Sequence, residues 1–148
     1  MWVEMKKSAV KELNSIQLWF IWLVLCKGLG APVAALLWDS ALLDMELRVW
    51  REKVMMVLHV RSLERDTLAR QIYEEQKDKK WPGLAEETRV ICAELGIEDC
   101  NTTKLDTTNF RQIVTQACHS KNADRLRSSA SKIKCGRIKT EDYGKKTT

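Results

Sequence analysis

Apolar residues recur at three- and four-residue intervals in one segment of this chain after another, and almost nothing interrupts them. The clearest case is DMELRVWREKVMMVLHVRSL, residues 44–63. Leu47, Trp50, Val54, Val57 and Leu58 fall on one side of a helix of 3.6-residue period, while Arg48, Arg51, Glu52 and Arg61 mostly fall elsewhere. Asp44, just ahead of the run, has the side chain of an N-cap. Strands need turn residues to delimit them, and the 148 residues offer only two prolines and six glycines. No stretch alternates with a period of two, and no internal repeat is present. The expected class is all-α: a small irregular bundle of five to seven helices with a poorly ordered basic C-terminal tail.

The remaining segments follow the same pattern. A first helix is predicted from about Lys6 to Lys27, with Val10, Leu13, Ile16 or Gln17, Phe20 and Val24 inward. Gly28 and Gly30 stop it, with Pro32 beyond. Pro32 then opens a short helix over PVAALLWDSALL. RDTLARQIYEEQKDK carries Leu68, Ile72 and Tyr73 inward and breaks at Trp81-Pro82-Gly83. PGLAEETRVICAELG has Pro82 near its start, Glu86 and Glu87 in its early turns and Gly96 after its end. Its predicted buried stripe is Leu84, Ile91, Cys92 and Leu95. EDCNTTKLD is a loop. TTNFRQIVTQACHSKNADRL resumes helix, with Thr108 or Asn109 as cap and Phe110, Ile113, Val114 and Ala117 inward. From Ser128 the period is lost, which divides the chain into a helical domain, 1–127, and a basic flexible tail, 128–148.

Charge is distributed unevenly. Residues 101–148 hold eleven Lys and Arg against four Asp and Glu, whereas residues 61–100 hold seven against ten. A basic block of this kind suits a polyanion, most simply nucleic acid or an anionic membrane surface. The candidate contacts are Lys121, Arg125, Arg127, Lys132, Lys134, Arg137 and Lys139. Binding through them would be independent of sequence and would fall steeply with salt. Tyr143 is the one ring nearby, so base stacking is not indicated.

Little points to catalysis. There is no Gly-rich phosphate loop, no G-x-S-x-G and no H-E-x-x-H. Asp39 and Asp44 lie five residues apart across a helix boundary, with no reason to converge on metal ions. His59 sits among Met and Val and is read as a partly buried structural histidine. Cys92, Cys100, Cys118, His119 and Cys135 are separated by gaps of seven, seventeen and fifteen residues. Structural zinc uses pairs two to four residues apart, so this spacing does not preform a half-site. Cys92 and Cys118 read as small core residues, and no metal, cofactor or enzymatic activity is expected. The odd count of five cysteines, with no secretory signal, suits reduced thiols in a cytosolic or nuclear protein. On that reading the sequon at Asn101 carries no glycan.

The most apolar run is IQLWFIWLVLCKG, residues 16–28. Its uninterrupted part, Leu18 to Cys26, makes about 14 Å of helix, against roughly 30 Å for a bilayer core. Extension to Trp38 takes in Lys27, Gly28, Gly30 and Pro32. A central lysine costs about 2.5–3.5 kcal/mol on insertion scales, which offsets the gain of roughly 3 kcal/mol from the six Leu, Ile, Val and Phe residues between 18 and 25. A membrane span is not expected, and anchoring through residues 16–38 is the alternative that this arithmetic disfavours.

Several strings carry a resemblance. WVEMKKSAVKELNSIQLWFIWLVL, GAPVAALLWDSALLDMELRVWREKVMMVLHVRSL, LARQIYEEQKDKKWPGLAEET and LGIEDCNTT resemble the region C-terminal to the reverse transcriptase core in LINE-type (non-LTR) retrotransposon polyproteins. The resemblance covers Trp2 to about Tyr143. It implies a helical segment downstream of a polymerase, able to touch template or product. The family's Y/F-A-D-D motif is missing here, so its catalytic activity transfers to no residue of this chain. A start near residue 2 implies the end of a partial element, or a reading begun at an internal Met. Sequences of that type carry a polar or basic residue in place of Trp22, which makes the run an amphipathic helix whose outer face has become apolar. The function expected is a non-catalytic, retrotransposon-derived helical segment with weak nucleic-acid binding through its basic third. The alternatives are a non-functional fragment or a module that binds protein through exposed apolar helix faces.

Overall fold

The computed structural model describes residues 7–25, 42–104 and 106–143, with the side chains of Trp22, Leu25 and 132–143 left aside. The predicted short helix over PVAALLWDSALL therefore falls mostly outside the described residues. Five helices and no strand occur among them: α1 Lys7–Leu25, α2 Met45–Ser62, α3 Leu68–Asp78, α4 Leu84–Leu95 and α5 Thr107–Tyr143. The all-α expectation holds. The residues pack as two compact units. One comprises Glu46–Ser120, and the other the described parts of Met1–Met45 and Lys121–Thr148.

In the Glu46–Ser120 unit, α2 contributes Leu47, Val54, Val57 and Leu58 to the core, four of the five residues its period predicted. Trp50 is half-buried, and His59, expected to be partly buried, is exposed. His59 lies about 100° around the helix from Leu58, so turning Leu58 inward turns the imidazole out. Lys53 Nζ pairs with Glu87 Oε2 at 2.5 Å and ties α2 to α4.

The expected inward face of α3 is wrong in two of three places. Tyr73 is buried, but Leu68 and Ile72 are exposed. Tyr73 and Ile72 point about 100° apart, and the partner of the Tyr73 hydroxyl decides which of them faces in. The inner side of α3 is polar: Arg70 Nη1 donates to the carbonyls of Leu63, at 3.1 Å, and of Arg61. A reversal then leads to α4. Trp81 N–H donates to Gln76 O at 3.0 Å and Lys80 N–H to Lys77 O at 3.3 Å, with Lys80 at φ +50°. This is the paired bonding of a Schellman motif, with lysine where glycine is usual. α4 packs against α3 and buries Ile91 and Cys92 as expected, together with Ala85 and Thr88. Leu84 and Leu95 are half-buried. Gly96, at φ +68°, closes α4 with a second Schellman motif: Ile97 N–H to Cys92 O at 3.0 Å and Gly96 N–H to Ala93 O at 3.1 Å.

α5 starts one or two residues earlier than its predicted caps, Thr108 or Asn109. Asp106 fills that role: its carbonyl accepts Phe110 N–H at 2.9 Å and its carboxylate accepts Thr108 N–H at 3.2 Å. Phe110, Val114 and Cys118 are buried at four-residue spacing. The expected inward Ile113 is exposed and Ala117 half-buried, because the buried line follows the i+4 row rather than straddling it.

In the other unit, α1 and the later turns of α5 flank residues 42–45. Asn122 and Leu126 extend the i+4 row of α5. Asn122 Nδ2 donates to Leu42 O at 3.2 Å and its Oδ1 accepts Asp44 N–H at 3.4 Å. Asn14 Oδ1 accepts Met45 N–H at 3.0 Å, and Gln17 Nε2 donates to Leu43 O at 3.1 Å. These two amides decide which side of α1 turns in. Ile21 is buried on that side, with Val10, Leu13 and Leu18 half-buried. Phe20 and Val24, expected inward, are exposed, as is Ile16. α5 runs on through the predicted tail boundary at Ser128 to Tyr143.

Candidate functional site

Two places in this structure gather chemistry that packing alone does not require. The first lies in the Glu46–Ser120 unit, where α3, α4 and the loop after Gly96 converge. Reversal at Gly96 sends the chain back past the last turn of α4, and the loop then folds on itself. Thr102 and Thr103 N–H groups both donate to Asp99 O, at 3.1 and 3.0 Å. The Asp99 carboxylate accepts Asn101 N–H at 2.9 Å, an Asx turn. Arg61, from the end of α2, clamps the loop from outside by donating to the carbonyls of Thr103, at 2.8 Å, and Cys100.

Asn101 is the hub of this loop. Its amide donates to Asp99 Oδ1 at 2.7 Å and to Ala85 O at 3.0 Å, and its oxygen accepts the Tyr73 hydroxyl at 2.5 Å. Burial raises the Tyr73 pKa well above its ordinary value of 10.0, with the neighbouring Cys100 adding to the effect. An Asn side chain so engaged has no room for a glycan, so the sequon is structural.

Beside the hub is a groove of about 620 Å³. Trp81, Lys80 and Gln76 form one wall, Glu86 and Arg89 of α4 another, and Asp99, Asn101 and Thr102 its end. Lys79 Nζ sits 4.6 Å from the Trp81 ring centroid, a cation–π contact that leaves half of the indole exposed. Glu86 and Arg89 pair at the rim, which lowers the Glu86 pKa and raises that of Arg89.

Beneath the loop, the thiols of Cys92 and Cys100 and the carboxylate of Asp99 come within 4.8 Å of one another. Both cysteines are buried and reduced, and Asp99 is half-buried. A hydrogen bond from the Cys100 thiol lowers the pKa of Cys92, and the same bond, with burial, raises that of Cys100. Cys92 and Cys100 are too far apart in sequence for a zinc half-site by spacing, and the αL glycine at 96 nevertheless brings them side by side. Cys118 stands apart, its thiol 3.8 Å from Leu47 O and its pKa raised by burial. His119 is exposed on α5, while Asp39 and the side chain of Cys135 lie outside what is described.

The second place is the outer face of α1. Ile16, Trp19, Phe20 and Val24 stand at i, i+3, i+4 and i+8 and are 57–62% exposed. They form one continuous apolar stripe that adjoins, at Phe20 and Val24, the side held by Asn14 and Gln17.

Of the candidate nucleic-acid contacts, Arg125 Nη1 pairs with Asp44 Oδ2 at 3.1 Å, and Arg127 pairs at 3.3 Å with Asp124 on its own exposed turn. Lys121 is half-buried one turn before Arg125. The side chains of Lys132, Lys134, Arg137 and Lys139 lie outside the described residues. No helix among the described residues is long and apolar enough to cross a membrane. No protein-family model, no curated protein and no solved structure matches the chain.

Proposed function

We propose that this chain is a non-catalytic helical segment of non-LTR retrotransposon type that docks on a protein through the outer face of α1. The observation that carries the reading is the exposure of Ile16, Trp19, Phe20 and Val24 on a helix whose other side is already fastened by Asn14, Gln17 and Ile21. Together they offer on the order of 500 Å², within the ~300–600 Å² of the largest, often functional, patch on a typical monomer. A large aromatic at the centre of such a patch is the residue type that anchors interfaces. The occupant that the sequence resemblance names is the apolar surface of the polymerase core that such segments follow.

The test mixes the chain with a separately produced non-LTR reverse transcriptase core. Association weakened at least tenfold by Trp19→Lys with Phe20→Lys supports the reading. Equal affinity of the two forms, or none for either, overturns it.

A second reading rests on charge. Residues 101–148 are strongly basic, and contacts from this third would go to the phosphate backbone. With Arg125 engaged by Asp44, this reading places most of the binding on the lysines and arginines beyond Ser131. Filter binding checks it: the logarithm of affinity should fall linearly with the logarithm of salt, by about 0.7–0.9 per phosphate contacted. Salt-independent binding, or none, sinks the phosphate-contact idea.

A further inference from the structure

We propose that Cys92, Asp99 and Cys100 form a binding site for a soft divalent cation of the zinc class, with a fourth position for a water. Their three ligand atoms all lie within 4.8 Å of one another. Tetrahedral zinc holds thiolate at about 2.3 Å and carboxylate at about 2.0–2.2 Å, so neighbouring ligand atoms sit roughly 3.4–3.8 Å apart around it. Small side-chain adjustments close the difference, and the backbone is already placed. Two thiolates with a carboxylate favour zinc over magnesium or calcium, which take all-oxygen sites.

Three further features fit a ligand set better than an ordinary patch of core. First, the Asp99 carboxylate is oriented by two donors, the Asn101 N–H at 2.9 Å and Asn101 Nδ2 at 2.7 Å. Asn101 is itself fixed by Tyr73 and Ala85. Outer bonds of this kind hold metal-ligating carboxylates in place. Second, two thiolates and a carboxylate around a dication leave one net negative charge, and the Arg61 guanidinium brings a positive charge to the same loop, bonded to the backbone carbonyls of Cys100 and Thr103. Third, the carboxylate corner reaches toward solvent, because Asp99, half-buried, also lines the groove of about 620 Å³, while the two thiols stay buried behind it. A thiol pair serving only as apolar filling needs no oriented carboxylate at its third corner.

The experiment titrates the full chain, kept reduced with a phosphine, with Co²⁺ and then with Zn²⁺. The expected result is one Co²⁺ per chain, with thiolate-to-cobalt charge-transfer absorption and the intense ligand-field bands of four-coordination, bleached by one equivalent of Zn²⁺. Cys92→Ser and Cys100→Ser each abolish the charge-transfer signal. Asp99→Asn keeps an oxygen for the Asn101 N–H, so the loop survives while the ligand is weakened. It should bind at least about tenfold less tightly, since loss of even an outer partner costs about 10–100-fold. Zn²⁺ should also raise the thermal midpoint of the wild type by more than that of Asp99→Asn, with far-UV circular dichroism confirming that each variant is folded. No charge-transfer band in the reduced wild type overturns the proposal. So does a band that survives in the Cys92→Ser, Cys100→Ser double variant, which would place the metal on other cysteines.

Discussion

The Tyr73 hydroxyl donates to Asn101 Oδ1 at 2.5 Å, and both residues are buried. This one bond joins α3 to the loop that follows α4, and it explains why α3 faces the core with Tyr73 rather than with Ile72. Tyr73→Phe removes the donor and leaves the Asn101 oxygen unmatched in a dry place. The variant should unfold at lower urea, losing about 1–3 kcal/mol. A loss below about 0.5 kcal/mol would mean that Asn101 is held adequately by Asp99 and Ala85.

The same burial sets a dependence on pH. Tyr73 keeps its proton in the folded state beyond the pH at which the unfolded chain gives it up, near 10.0. Above that point the unfolded state binds fewer protons, so stability falls as pH rises. Below it, Tyr73 is neutral in both states and its contribution is fully present. The wild type should lose up to about 1.4 kcal/mol per pH unit more than Tyr73→Phe above pH 10, and nothing more below pH 9. Urea titrations of both proteins across pH 7–11 measure the difference. Parallel curves throughout would show that the phenol ionises freely.

The two Schellman reversals carry opposite residues at their left-handed positions. Lys80 adopts φ +50° with a Cβ, whereas Gly96 adopts φ +68° without one. A left-handed conformation costs an L-residue roughly 1–2 kcal/mol, and glycine in the unfolded chain gives back about 0.4–1 kcal/mol of that. Lys80→Gly should therefore stabilise by about 0.5–1 kcal/mol. Gly96→Ala should destabilise by about 1 kcal/mol, even though an added Cβ there meets nothing within 4 Å. Thermal midpoints moving in opposite directions would confirm the backbone origin of both effects.

Helical periodicity made the class and most of α2 legible, because Leu47, Val54, Val57 and Leu58 are buried for no reason beyond their apolar character. It failed where a polar side chain decides the rotation of a helix. Asn14 and Gln17 turn α1, Tyr73 turns α3, and each of their partners is remote in sequence. The thiol pair was hidden for a related reason. Ligand spacing rules assume a short turn between the two residues, and here the turn is a helix end with a glycine reversal. The pairing of Arg125 with Asp44 spans 81 residues, a separation that helical periodicity does not register.

Asp106 tests the correction at the start of α5. Its carboxylate serves the Thr108 N–H and its carbonyl the Phe110 N–H. Asp106→Ala should lower stability by about 1 kcal/mol, the usual loss for a cap. Thr108, the capping residue the sequence suggested, is exposed within the helix, so Thr108→Ala should stay within about 0.5 kcal/mol. Denaturant midpoints of the two variants distinguish the assignments, and a larger loss from Thr108→Ala would restore the original cap.

The two sides of α1 give the last contrast. Ile21 is 2% exposed and Trp19 60% exposed, although they are two residues apart within the uninterrupted apolar part of α1 that begins at Leu18. If the outer face of α1 awaits a partner, its residues should contribute to association and not to folding. Ile21→Ala should therefore lower stability by about 2–4 kcal/mol through lost burial and the cavity it leaves. Trp19→Lys should change stability by less than about 0.5 kcal/mol while reducing binding of an apolar dye and slowing aggregation on heating. Equal destabilisation by the two substitutions would mean that Trp19 is packed within the chain itself, and the outer face of α1 would then be core rather than interface.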